Sequence, residues 1–219
     1  MTTIGIIGAG HIGSAVARKA VELGYDVVIS NSRGPETLTE LATELGPKAR
    51  AATSAEAAEA GHFAVVTVPL KNYRDIPVEP LAGKIVIDTT NQYGSEKLPP
   101  EGQTAAQWNA SRMPGARYTK SFNTLTSSFQ AEAAGRPEGD RVVQWICGDD
   151  AEAKGIVAKL IADAGYAPVD LGGTADCAVM EAPQREGAVY GEEYRLPDAE
   201  QVVEAVKAGE QIPPKPKYE

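Results

Sequence analysis

Gly8-Ala9-Gly10-His11-Ile12-Gly13 follows the β-branched run Thr3-Ile4-Gly5-Ile6-Ile7 and opens an Ala- and Val-rich helical pattern. Glycines at that spacing, between a strand and a helix, leave few folds open to the chain. Gly8 lets the backbone turn sharply off the strand, and Gly13 lets the helix lie close on the sheet. Gly10 leaves bare backbone at the helix N-terminus, where unpaired amides and the positive end of the helix dipole attract an anion. The segment therefore reads as the cradle of a dinucleotide pyrophosphate, with Gly8, Gly10, His11, Ile12 and Gly13 as its expected contacts. A ligand-free glycine turn is the alternative, and a second strand about 20 residues further on disfavours it.

That second strand, Asp26-Val27-Val28-Ile29-Ser30, ends in Asn31, Ser32 and Arg33 rather than in an acid. A carboxylate here would hold the ribose 2′-hydroxyl of NAD and repel a 2′-phosphate, whereas an amide, a hydroxyl and a guanidinium all donate to one. The expected dinucleotide is NADP(H). The competing reading has Asn31-Ser32 capping the helix that starts near Pro35, with Arg33 as a solvated charge. Glu36 is the nearest acid, but it lies in the first turn of that helix, where a carboxylate complements the dipole without any ligand.

Alternating short apolar strands and helical patterns indicate an α/β fold of the Rossmann type, a doubly wound and mainly parallel sheet. Strands are expected at 3–7, 26–30, 51–52, 63–68, 84–88 and 118–122, and helices from 11 to Gly24 and over 36–45, 54–60 and 104–112. After this the pattern changes to strand 142–147, helix 151–164 and strand 168–171, a small C-terminal α/β extension. This places an NADP-binding domain at 1–125 and the extension and tail at 126–219. The last amphipathic stretch, with Val202, Val203 and Val206, is too short to be stable alone. It is expected to pack on a second copy or over the substrate crevice, making a homodimer, with docking on its own domain as the alternative.

The 219 residues carry a formal charge of −9, so no long-range field draws in nucleic acid or an anionic membrane. No apolar run approaches the roughly 20 residues that span a bilayer, and no signal peptide precedes the first strand, so a soluble cytoplasmic protein is expected. Cys147 and Cys177 have neither metal-site spacing nor a disulfide framework and read as buried, reduced thiols. Asp149-Asp150 precedes a helix and reads as a cap rather than a metal pair; no metal site is expected. His11 is expected to act through its backbone amide, His62 to be structural, and Trp108 and Trp145 to pack in the core or at an interface.

The glycine loop, Asn31-Ser32-Arg33-Gly34-Pro35-Glu36, Val66-Thr67-Val68-Pro69, Lys120-Ser121-Phe122-Asn123-Thr124 and Cys147-Gly148-Asp149-Asp150 together resemble the NADP oxidoreductases that use the deazaflavin coenzyme F-420. The Lys-x-Phe-Asn-Thr arrangement is also similar to the cytosolic reductase domain of the six-transmembrane ferric reductases. The resemblance implies hydride transfer between NADPH and a stacked tricyclic ring, deazaflavin or flavin, in which rate comes from proximity and orientation and the cofactors supply the reactivity. It places Thr67, Val68, Pro69 and Leu70 along the nicotinamide. Asn91 and Asn123 become candidates to bond nicotinamide, ribose or acceptor, with Asn123 in a catalytic positioning role. Lys71, Arg74, Lys120 and Arg185 are candidates for an anionic acceptor tail, or plain surface.

The archaeal deazaflavin enzymes carry histidine where this chain has Asn123, and Gly-Pro-Leu where it has Gly172-Gly173-Thr174, so the acceptor is left open among deazaflavin, a flavin and another small molecule. Reductases of the β-hydroxyacid or pyrroline-carboxylate type share the glycine loop but append a large helical domain. Here only about 90 residues remain, and they contain strands. A non-catalytic NADPH sensor, or a reductase of another small substrate, stays as the alternative.

Overall fold

The computed structural model describes residues 2–92 and 99–218. Its order is β1 (Thr3–Ile7), α1 (His11–Glu22), β2 (Asp26–Ser30), α2 (Thr39–Leu45), β3 (Ala49–Ala51), α3 (Ser54–Ala60), β4 (Phe63–Val66), β5 (Ile85–Asp88), α4 (Ala105–Arg112), β6 (Arg117–Lys120), α5 (Ser127–Ala133), β7 (Val143–Cys147), α6 (Ala151–Asp163), β8 (Ala167–Gly172) and α7 (Leu196–Ala208). The strands form one eight-stranded sheet ordered β3-β2-β1-β4-β5-β6-β7-β8. Its first six strands follow the doubly wound dinucleotide order, in which the chain reverses direction between β1 and β4. β7 joins β6 antiparallel through Lys120 and Cys147, and β8 runs parallel to β7, so the C-terminal strands extend the same sheet.

Both sheet faces are covered, and the strands read accordingly as continuous apolar runs. Alternate residues serve opposite layers. Ile7, Val66, Val86 and Trp145 pack on one face with α3, α4 and α7, while Ile6, Val65, Ile87 and Ile146 pack on the other with α1, α2 and α6. Capping fixes several helix starts. Thr53 and Thr104 build capping boxes with Glu56 and Gln107, and Asp150 accepts from the Ala153 amide at 2.9 Å, in the capping role expected of the Asp149-Asp150 pair.

Some expectations need correction. The helix over 36–45 is split: Pro35–Leu38 is a 3-10 turn and only Thr39–Leu45 is α-helical, because Leu38 leaves helical backbone geometry. α5 was not anticipated; its seven residues are announced only by the Thr126 cap, which accepts from the Phe129 amide. Cys147 and Cys177 are joined as a disulfide rather than standing as separate thiols, because the 3-10 stretch Thr174–Met180 folds back beside the end of β7 and brings the two Cα atoms to 6.0 Å. α7 docks on its own sheet, burying Ala199, Val202 and Ala205 beside Trp145 and Leu171. Its apolar face is thus satisfied within the chain and supplies no argument for a second copy.

Candidate functional site

The glycine loop is built by close approach. Gly8 has φ +114°, and a Cβ there would meet Thr67 Oγ1 at 2.5 Å. A Cβ on Gly13 would lie 1.9 Å from the Gly8 carbonyl oxygen. That carbonyl accepts from Thr67 Oγ1 at 2.6 Å, so the end of β4 holds the loop in place. Gly10 differs: a Cβ there would meet no atom within 4 Å, and it begins α1 with no side-chain cap. The open space above Gly10 and the uncapped amides beyond it fit a pyrophosphate.

At the end of β2, Ser30 is fully buried and donates to the Ile6 carbonyl at 2.9 Å, while the next residues turn outward. Asn31 Oδ1 accepts from the Arg33 amide at 2.9 Å, and Asn31 Nδ2 donates to Thr37 Oγ1 at 2.9 Å. This turn leaves Ser32 and Arg33 exposed beyond the strand end. Asn31 therefore shapes the loop, and Ser32 and Arg33 are the groups presented to solvent.

A cleft of about 860 Å³ opens at the carboxyl ends of β1, β4, β5 and β6, where ligands bind in open α/β sheets. Of the expected residues it gathers Gly10, His11, Ile12, Thr67, Val68, Pro69, Asn91 and Asn123. Leu70 is not among them; it is buried against Ala105 and Trp108 at the start of the 3-10 stretch Leu70–Asp75. Phe122, Phe129, Tyr190 and Glu193, which sequence reasoning missed, also line the cleft. Phe122 has φ +57°, a strained value for an aromatic residue, in a turn that Gln130 Nε2 ties through the Phe122 and Leu125 carbonyls. Gly191 donates its amide to the Thr124 carbonyl at 2.9 Å, locking the late segment onto the β6 turn.

The two asparagines hold each other. Asn91 Nδ2 donates to the Asn123 carbonyl at 2.8 Å, and Asn123 Nδ2 donates to Asn91 Oδ1 at 3.0 Å and to the Met180 carbonyl at 2.7 Å. They clamp the turns after β5 and β6 together and anchor Met180 beside the cleft. Glu181 follows, its carboxylate accepting from the Ala105 and Ala106 amides at 2.8 Å each, so it caps α4 from a distant part of the chain.

Beneath this wall is a buried charged network. Asp88 Oδ1 accepts from the Thr90 amide at 2.8 Å, and Asp88 Oδ2 accepts from Asn109 Nδ2 at 2.9 Å and Tyr118 Oη at 2.5 Å. Lys120 Nζ lies 3.5 Å from Asp88 Oδ2 and donates to the Thr90 carbonyl at 2.5 Å, with both ion-paired side chains fully buried. Burial, with the Asp88 charge beside it, pushes the Tyr118 phenol well above its ordinary pKa. Lys120 is thus closed off from any acceptor tail. Arg185 donates to the Glu181, Pro183 and Ala178 carbonyls, while Lys71 and Arg74 remain exposed.

Residues 3–92 match the family model described as NADP oxidoreductase, coenzyme F-420-dependent. The metalloreductase STEAP3 of Rattus norvegicus is 33% identical over 181 residues, covering 82% of this chain and 36% of that protein. The chain thus spans about a third of the length of the curated relatives it matches. The crystal structure of a hypothetical protein from Sinorhizobium meliloti superposes with a TM-score of 0.78 at 30% identity, over 90% of this chain and 96% of that one. That of a provisionally assigned F-420-dependent NADP-reductase from Arthrobacter sp. FB24 does so with a TM-score of 0.67 at 26% identity, over 80% and 86% of the two chains. Among the described residues no helix is long and apolar enough to cross a membrane.

Proposed function

We propose that the chain, whose residues 3–92 match the coenzyme F-420-dependent NADP oxidoreductase model, transfers a hydride between NADP(H) and a flat acceptor, the deazaflavin coenzyme F-420 or a flavin. The observation that carries this reading is a cleft lined both by the uncapped glycine loop and by aromatic residues. The α1 amides after Gly10 receive the pyrophosphate, and Ser32 and Arg33 receive the 2′-phosphate. When bound, the reduced nicotinamide supplies the hydride and the acceptor ring takes it. The protein's part is placement. Thr67, Val68 and Pro69 line the cleft together with the aromatic residues Phe122, Phe129 and Tyr190, and these groups position the two rings for transfer.

No acid or base is needed in that transfer, and the asparagines of the wall, which are neither, bond each other through Asn91 Nδ2 and Asn123 Nδ2, while Asn123 Oδ1 has no hydrogen-bond partner among the described residues. Asn123 acts as a positioning group by holding the Asn91 and Met180 turns. The test is anaerobic mixing of the protein with NADPH and, separately, coenzyme F-420 and FMN, following the absorbance of each partner. Oxidation of NADPH matched by reduction of one acceptor supports the reading. Tight NADPH binding without transfer to either would overturn the reading in favour of NADPH sensing or reduction of another small substrate.

A further inference from the structure

We propose that Lys120 is a positioning residue for the nicotinamide end of the cleft, an inference that rests on the NADP(H) reading above. Fully burying an ammonium and a carboxylate costs more in lost hydration than a stable fold requires, and apolar residues of similar volume usually serve stability as well. The pair therefore calls for a reason beyond packing. What Lys120 touches supplies one. Its Nζ donates to the carbonyl of Thr90, and Thr89, Thr90 and Asn91 form the stretch of cleft wall contributed by the turn after β5.

The same turn is held from two other directions. The Thr90 amide donates to Asp88 Oδ1, and Thr90 Oγ1 accepts from Asn109 Nδ2 at 3.0 Å. Lys120 is thus the group on β6 that fixes the orientation of the Thr90–Asn91 peptide, and with it the start of Asn91. Asn91 then locks to Asn123 in the neighbouring turn after β6. Lys120 and Asn123 belong to one short segment, so the stretch after β6 that supplies part of the cleft wall also sets the position of the turn beside it. This wall adjoins Val68 and Pro69, whereas the glycine loop and Arg33 serve the other end of the dinucleotide. Disturbing Lys120 should therefore affect the nicotinamide and spare the phosphates.

The experiment compares binding of NADPH with that of 2′-phospho-ADP-ribose, which keeps both phosphate sites and lacks the nicotinamide. Removing Lys120 alone would strand Asp88, so the variant is Lys120→Met with Asp88→Asn, which discharges both partners together. Wild-type protein is expected to bind NADPH at least about fivefold more tightly than the fragment, and the variant less than about twofold, with fragment affinity unchanged. A cooperatively folded variant that keeps the wild-type ratio overturns the proposal. So does one that loses both ligands equally, and so does a wild type that shows no preference. If the double variant does not unfold cooperatively, Lys120→Arg carries the test. It keeps a cation beside Asp88 but replaces the compact Nζ on the Thr90 carbonyl with a planar fork, and is expected to lose the ratio as well; retention overturns the proposal. Wild-type protein that binds neither ligand would instead refute the NADP(H) reading, and the proposal with it.

Discussion

Gly13 approaches Gly8 so closely that a Cβ on Gly13 would sit 1.9 Å from the Gly8 carbonyl oxygen, while Gly10, between them in sequence, faces open space. One motif thus contains two kinds of glycine. Gly8 and Gly13 allow the strand, loop and helix to pack, and Gly10 keeps room for something outside the chain. Gly13→Ala is expected to destabilise the fold by about 1–3 kcal/mol, the usual cost of overpacking against atoms that cannot move away. Gly10→Val is expected to leave the thermal midpoint within a few degrees of wild type and to abolish NADPH binding. Calorimetry and a fluorescence titration on both variants decide it; normal NADPH affinity in folded Gly10→Val would place the pyrophosphate elsewhere.

Cofactor choice is expected to rest on Arg33 more than on Asn31, because Asn31 is occupied with the Arg33 amide and Thr37 whereas the Arg33 side chain stands exposed. Arg33→Ala should weaken NADPH binding by about 1.5–3 kcal/mol, the range for a charge-assisted hydrogen bond, and leave NADH binding within about twofold of wild type. Equal losses for the two dinucleotides would show that Arg33 does not read the 2′-phosphate.

A pH dependence follows from Asp150. Arg117 grips this carboxylate at 2.6 and 3.0 Å, and the Ala153 amide adds the α6 cap. These contacts, the Arg117 bond foremost, hold the carboxyl well below its ordinary range. A folded-state pKa lowered in this way contributes stability that is fully present above the unfolded value of about 4 and is lost as the pH falls through the folded one. Wild type and Asp150→Asn should therefore differ most near neutrality and converge as the pH drops below about 4. Denaturant melts across that range test the sign, and two curves that stay parallel into acid would contradict it.

Much of this architecture could be read from local chemistry. The strand, the glycine loop and the Ala-rich helix are specified by neighbouring residues, so β1 and α1 emerged as expected, as did the alternation that builds the sheet. The Asp150 cap was legible for the same reason. The part of the cleft built by the late segment was not, because it depends on contacts distant in sequence. Gly191 reaches the Thr124 carbonyl, Asn123 reaches the Met180 carbonyl and Glu181 caps α4. None of these pairings leaves a periodic trace. The positive φ of Phe122 is equally silent, since an aromatic residue is a poor sequence signal for left-handed backbone. The pairing of Cys147 with Cys177 depends on the fold-back of Thr174–Met180, which the spacing of the cysteines does not encode.

Phe129 offers the sharpest separation of the two substrates. It lies on α5 and lines the cleft, and the Arg136 guanidinium lies 5.6 Å from its ring centroid, on a side chain that also pairs with Glu193 at 2.6 Å. Its ring is thus held beside the Arg136–Glu193 pair while lining the cleft. A flat acceptor packed there would gain both area burial and ring-ring contact, together about 1–2 kcal/mol. Phe129→Ala is therefore expected to raise the acceptor KM by about tenfold while NADPH affinity changes by less than about twofold. Steady-state kinetics with the acceptor varied at saturating NADPH, alongside direct NADPH titration, measure the two separately. If NADPH affinity falls and the acceptor KM does not, the aromatic wall belongs to the nicotinamide and the acceptor must enter from the Val68–Pro69 side.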